Sequence, residues 1–305
     1  MVRTTVLASG SKGNSTIVAS STTRILVDAG LSCRELIKRM RIAGEDPASL
    51  DAILITHEHQ DHVQGLAVTA RKLGIPVYLT EPTHRAWVRW LTPRKRTTYA
   101  EWLEQRRQAA NQPTPEPDAE EASAVEESLS EPANDPAALP AVEYFQSGSS
   151  FRIGDIAVMP FTTPHDAVDP VGFVFEVEAA RVGLATDLGY IPSNLHVHLR
   201  RCDVLMLESN HDLEMLRDGP YPWSVKQRVM SRVGHLSNDA ASEFLARSYD
   251  GQAAYVVLAH LSESNNLPEL ARYAAEQALR DKMNLLANKL VLAEQDRPMD
   301  AIVLR

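Results

Sequence analysis

Short apolar runs bounded by Gly, Pro, Asn and Ser recur along the chain. VRTTVLASG (2–10) and TRILVDAG (23–30) predict two strands around the turn SKGNS, and LSCRELIKRMRIAG (31–44) then carries apolar positions at helical spacing and stops at Gly44. AILITHEH (52–59) predicts a strand running directly into a polar cluster. A helix over 63–74, a strand over 75–80 and a helical pattern from Thr83 follow. Further along, 151–163 and 171–187 alternate with Gly punctuation as hairpins do. DVLMLES (203–209) and AAYVVLAHL (253–261) are the short apolar runs of buried strands, with helical SNDAASEFLARSY between them, and a helix from Glu269 and a last strand finish the chain. This traffic between strand and helix points to an α+β fold in which each half of the chain supplies one sheet.

Composition changes that picture in one place. Between Asn111 and Pro140 lie Glu116, Asp118, Glu120, Glu121, Glu126, Glu127, Glu131 and Asp135 with no Lys or Arg, so this stretch holds all but one unit of the formal charge of −9. It is rich in Pro, Ser and Ala and lacks the large apolar groups that would offset ordering entropy, which predicts a disordered acidic insertion at about 108–141 within a single domain spanning 1–305. No apolar run approaches the roughly 18 residues of a membrane span, and the start of the chain does not read as a signal peptide, so a cytoplasmic location without membrane contact is expected. Cys33 and Cys202 are too few for a disulfide framework or a thiolate metal site.

HEHQDH (57–62) places three imidazoles and a carboxylate in six residues at a strand end, where a loop can turn several side chains toward one point. Imidazole nitrogen and carboxylate oxygen are ligands that catalytic Zn²⁺ takes, and Mn²⁺ or Fe would be accepted. If the strand pattern continues, His57 and His59 face one position and Asp61 and His62 a neighbouring one, which suits two adjacent divalent ions.

The cluster resembles the H-x-H-x-D-H signature of the metallo-β-lactamase superfamily, and later motifs follow in order as His165 of TTPHDAVDP, Asp187 of GLATDLG and His260 of VVLAHLS. The resemblance implies an αββα sandwich in which His57, His59 and His165 hold one metal, Asp61, His62 and His260 the other, and Asp187 bridges them. SGSKGNS, VDAG, ESNHD and GHLSN are similar to the bacterial YycJ/WalJ-like group, described as phosphodiesterases or exonucleases acting on DNA. That likeness implies a double-stranded DNA 5′–3′ exonuclease with a metal-bridging hydroxide as nucleophile, and DNA rather than RNA as partner. GHLSNDAASEFLA followed by VVLAHLS also resembles the corresponding elements of ribonuclease Z, which implies that His235 acts beside the metals as a proton donor while His260 binds metal; Asp61 could in addition accept a proton from the attacking water.

Around these, Asp28 and His211 read as residues that orient ligands or touch substrate, and Ser11, Lys12, Asn14, Lys226 and Arg228 as further substrate contacts, the backbone of SGSKGNS with Lys12 for phosphate and Lys226 and Arg228 as positive charge beside the site. The stretch 83–107 interleaves Arg with Trp87, Trp90, Tyr99 and Trp102, a mixture suited to phosphates and stacked bases. A thioester or lactone hydrolase of the same fold, and a metal-stabilised regulatory protein linked to cell-wall signalling, are the competing readings. The sequence leaves oligomeric state open.

Overall fold

A computed structural model of the chain describes residues 1–92, 103–104, 106–107, 135–282 and 288–304. Met1–Trp87 together with Leu139–Arg305 form one compact unit, and Val88–Ala138 form another. The acidic stretch up to residue 134, and Tyr99 and Trp102 of the Trp-bearing stretch, lie outside the described residues. Residues 135–138 close a turn, with Ala138 N donating to the Asp135 carbonyl.

The described strands of the larger unit form two seven-stranded sheets. The first contains β1 (Val2–Ala8), β2 (Ser15–Ala19), β3 (Arg24–Val27), β4 (Ala52–Leu54), β5 (Val77–Leu79) and β6 (Val142–Tyr144), in that order, with β14 (Ile302–Leu304) on its outer edge against β1. The second runs β7 (Phe151–Ile153), β8 (Ile156–Thr162), β9 (Val171–Val177), β10 (Ala180–Ala185), β11 (Val204–Glu208), β12 (Tyr255–Ala259) and β13 (Lys289–Leu292). The chain therefore ends on two strands rather than one. The last of them returns to the first sheet, so the division of sheets between chain halves is not clean: β1 leaves a hydrogen-bonding edge that Val2 and Thr4 share with Leu304 and Ile302.

Strand alternation builds the layers. Val6, Val18, Ile25, Val27 and Leu54 of the first sheet share one apolar cluster with Val158, Phe173, Phe175, Val182, Val204 and Val257 of the second. Outside the second sheet, Val174, Leu205, Leu207, Val256 and Leu258 pack with Leu236, Phe244 and Leu245 around the helix Asn238–Arg247, and with Ala271, Ala275 and Leu279 of the helix Pro268–Leu279. Outside the first, α1 (Cys33–Ile42) buries Leu36 and Met40 and packs on β1 and on α3 (Leu66–Leu73). The result is the α/β/β/α layering of a metallo-β-lactamase sandwich.

In each sheet one half is parallel: β3, β4, β5 and β6 in the first, β10, β11, β12 and β13 in the second. Parallel strands align their carboxyl ends, the place where open α/β sheets gather binding residues. Asp28, Asp187 and His260 each follow the last residue of such a strand or lie two beyond it, and all three sit in the left-handed region at φ 60°, 61° and 58°. Non-glycine residues held there cost free energy, and they concentrate where function constrains the backbone.

Candidate metal centre

The strand β4 is shorter than the pattern predicts, ending at Leu54, so Thr56 and His57 stand on its exit loop and His59 precedes a short helix, α2 (Gln60–Val63), that carries Asp61 and His62. Two fixings shape this loop. Asp28 Oδ1 accepts from the Thr56 N–H at 2.9 Å, and Asp28 Oδ2 from the Thr56 hydroxyl at 2.9 Å and the His62 Nδ1–H at 2.8 Å. The Asp61 carbonyl accepts from Asn14 N at 2.7 Å, and a Cβ on Gly30 would lie 1.6 Å from that same oxygen, so only glycine lets the two segments approach. Glu58 Oε1 accepts from Val168 N at 2.9 Å and ties the His165 loop of the second sheet to this motif.

His57, His59 and His165 bring one ring nitrogen each within 4.8 Å of the others; Asp61, His62 and His260 form a second such group, and His57, His62 and Asp187 a third that joins them. His165 Nε2 lies 3.2 Å from His59 Nδ1, and His62 Nε2 lies 3.4 Å from Asp61 Oδ2 and 3.5 Å from Asp187 Oδ2. His57 Nε2, Asp187 Oδ2 and His260 Nε2 are buried and make no hydrogen bond. A polar atom in that position is costly unless something fills the space it faces, and nitrogen and carboxylate donors around such a space fit divalent cations.

The opposite ring nitrogens are all occupied. His57 Nδ1 meets the Thr56 hydroxyl at 3.0 Å, and His165 Nδ1 the Gly234 carbonyl at 3.0 Å. His260 Nδ1 and His235 Nδ1 both donate to one oxygen, Oε1 of Glu208, at 2.9 and 2.8 Å, while Glu208 Oε2 accepts from Leu188 N and Leu236 N at 2.6 and 3.2 Å. These contacts fix the tautomers, leaving Nε2 as the outward atom of His57, His165 and His260.

Charge follows the same arrangement. Burial, reinforced by the imidazoles of His62, His165 and His59, holds His57 well below its ordinary value, so it is neutral and able to ligate. Burial works against the charged form of His62 too, but the carboxylates of Asp187, Asp61 and Asp28 outweigh it and hold this imidazole well above the ordinary value. His260 behaves alike beside Asp187, Asp61 and Glu208. Burial opposes the ionised form of Glu208, yet its two histidine partners keep the carboxyl well below the usual range.

The remaining expected contacts divide. Asn14 is at the centre, its amide donating to Asp61 Oδ2 at 3.1 Å, and so holds a carboxylate rather than standing free for substrate. Lys12 is exposed and paired with Glu263 at 2.6 Å, and Ser11 is exposed beside it. Arg228 pairs with Asp166, next to His165. Lys226 departs from the expectation, since it is buried and its ammonium donates to the Arg217 carbonyl at 2.6 Å. His211 is buried with Nδ1 unpartnered, and burial chiefly pulls it down to about 4. In the Trp-bearing stretch Trp87 is buried and Trp90 exposed on α4 (Glu81–Leu91).

Glu208 is the residue that sequence reasoning passed over in favour of His211 in ESNHD. The signal was present: it ends the apolar run DVLML, and a carboxylate on a fully buried strand requires partners. Thr56 was passed over as part of a strand.

Residues 8–225 match the model of the metallo-beta-lactamase superfamily. The chain is 34% identical over 277 residues to exodeoxyribonuclease YycJ of Bacillus anthracis, covering 91% of this chain and 89% of that protein. It is 33% identical over 266 residues to exodeoxyribonuclease WalJ of Streptococcus pneumoniae, covering 87% and 84%. The metallo-beta-lactamase fold protein YhfI from Bacillus subtilis superposes with a TM-score of 0.60 at 14% identity over 98% of each chain, a likeness of fold. No helix among the described residues is long and apolar enough to cross a membrane. By its fold, its ligand clusters and its relatives, this chain belongs to the metallo-β-lactamase superfamily, on the YycJ/WalJ branch.

Proposed function

We propose that the protein is a metal-dependent phosphodiesterase that shortens DNA from its ends, as the names of its relatives describe for them. The observation that carries the reading is the pair of three-residue donor groups, joined by a third containing Asp187 and lined by unpartnered buried atoms. His57, His59 and His165 would hold one cation, Asp61, His62 and His260 the other, with Asp187 shared; Zn²⁺ and Mn²⁺ both suit this mixture. Two divalent ions held there would supply an acidified water and counter-charge for in-line displacement at a phosphodiester.

The protein's own groups do the rest. Asp61, held by the Asn14 amide at 3.1 Å, would take a proton from the attacking water. His235 is partly exposed, and because its Nδ1–H is committed to Glu208 at 2.8 Å, its Nε2 faces outward and, in the doubly protonated ring, would hand its proton to the leaving oxygen and return the ring to the neutral Nδ1–H form. Arg228 and Lys12 flank the centre and would meet phosphates by exchanging their present carboxylate partners.

The test offers purified protein, loaded with Mn²⁺ or Zn²⁺, end-labelled duplex DNA, the matching RNA, bis-p-nitrophenyl phosphate and S-lactoylglutathione. Progressive shortening of DNA is expected, with the labelled end that disappears first giving the direction of attack. Turnover of the thioester alone would overturn the reading.

A further inference from the structure

The two donor groups differ in what stands behind their imidazoles. Behind His57 is a hydroxyl, Thr56 Oγ1 at 3.0 Å, and behind His165 a backbone carbonyl, Gly234 O at 3.0 Å. Both are neutral. Behind His62 is the Asp28 carboxylate at 2.8 Å, and behind His260 the Glu208 carboxylate at 2.9 Å. Both carboxylates are almost wholly enclosed, Asp28 at 3% exposure and Glu208 at 0%, so solvent screens neither. The second group also contains Asp61, whereas the first consists of three imidazoles, with the partly exposed Asp166, itself paired with Arg228, 3.5 Å from His165 Nε2 at its edge. Asp187 lies near ligands of both groups, 3.5 Å from His62 Nε2 and 3.8 Å from His165 Nε2.

From this contrast we infer that the two cation positions are unequal, the one formed by Asp61, His62 and His260 filling first and tightly, with Asp28 and Glu208 as the positioning residues that make it so. An ionised acceptor on the far ring nitrogen raises ligand basicity and locks the ring, and losing such a partner costs about 10- to 100-fold in metal affinity. Asp28 reaches His57 as well, but only through the Thr56 hydroxyl, which donates to Asp28 and accepts from His57 Nδ1–H; Glu208 hydrogen-bonds His260 directly and acts on His165 of the first group only through space. Glu208 is thus the selective determinant. The consequence for the enzyme is graded occupancy: at low cation supply the molecule holds one ion, in the group that contains Asp61, and the His57, His59 and His165 group governs the step from one ion to two.

The inference rests on the reading of these residues as a two-cation centre, and a binding experiment separates the two. Chelator-stripped full-length protein is titrated with Co²⁺ and followed by calorimetry and by the visible absorption of the bound ion. Two steps of different affinity are expected. His59→Ala should abolish the weaker step and keep the tighter one, and His62→Ala should abolish the tighter. Glu208→Gln should weaken the tighter step by about 10- to 100-fold and leave the other in place. Steps of equal affinity, a tight step that survives His62→Ala, or equal weakening of both by Glu208→Gln would overturn the ranking while leaving the centre intact. Failure to bind any cobalt would overturn the centre itself. Should Glu208→Gln fail to fold by circular dichroism, the His59 and His62 variants decide the matter alone.

Discussion

At the floor of the centre, Asp28 and Glu208 are shut away from water and accept several hydrogen bonds each, while at its flank Lys12 and Arg228 keep 68% and 61% of their side chains exposed, each facing one carboxylate. The floor's partners are imidazoles and backbone N–H groups that cannot leave without unfolding a loop. The flank's partners, Glu263 and Asp166, can exchange for phosphate oxygens at small cost, because exposed ion pairs are worth little and are screened by salt. Rigid enclosed charge fixes where cations sit; loose exposed charge decides what is drawn to them. A substitution in the floor should therefore change metal binding and rate, and one at the flank should change affinity and its response to salt.

The largest effect is expected for Asp187→Asn, which removes a carboxylate near ligands of both donor groups: metal content by plasma mass spectrometry should fall below two ions per chain, and hydrolysis should drop on the order of 10³-fold or more. Retention of both ions would break the assignment of Asp187. Removing metal from the wild type with a chelator should abolish turnover to a similar degree, with Mn²⁺ restoring it. Next comes Gly30→Ala, where the added methyl meets the Asp61 carbonyl; a loss of roughly 1–3 kcal/mol of stability should appear as a lowered melting temperature, together with weakened metal binding. Arg228→Ala should leave metal content unchanged, weaken DNA binding modestly and reduce the salt slope by about one. If it costs as much rate as Asp187→Asn, the division between floor and flank fails. The smallest change is expected for Lys12→Ala, a slight weakening of DNA binding visible only at low salt.

Much of the centre was legible in the chain because local contiguity carries it. HEHQDH packs four donors into six residues, so the strand, the loop and the ligand chemistry are all short-range information. His165, Asp187 and His260 were legible as a series, since each follows an apolar strand. What escaped was the support: Glu208 lies in a run that reads as plain buried strand, and nothing in its own neighbourhood announces that His235 and His260, the second of them 52 residues away, will converge on one of its oxygens. Lys226 escaped in the other direction, because composition marks it as a surface charge and only the fold turns its ammonium onto the Arg217 carbonyl. The return of β14 to the first sheet was also hidden, as a three-residue strand carries no mark of its partner.

The sequence by itself determined the strand and helix rhythm, the sandwich class and the kind of atoms offered to a cation, because those depend on residue type and on neighbours within a few positions. Only the tertiary structure decided which imidazole is backed by a carboxylate and which by a neutral acceptor, and which cations at the flank are already paired. Those properties arise where carboxyl ends of strands from two different sheets meet, and buried electrostatics depends on that distance and enclosure rather than on order along the chain.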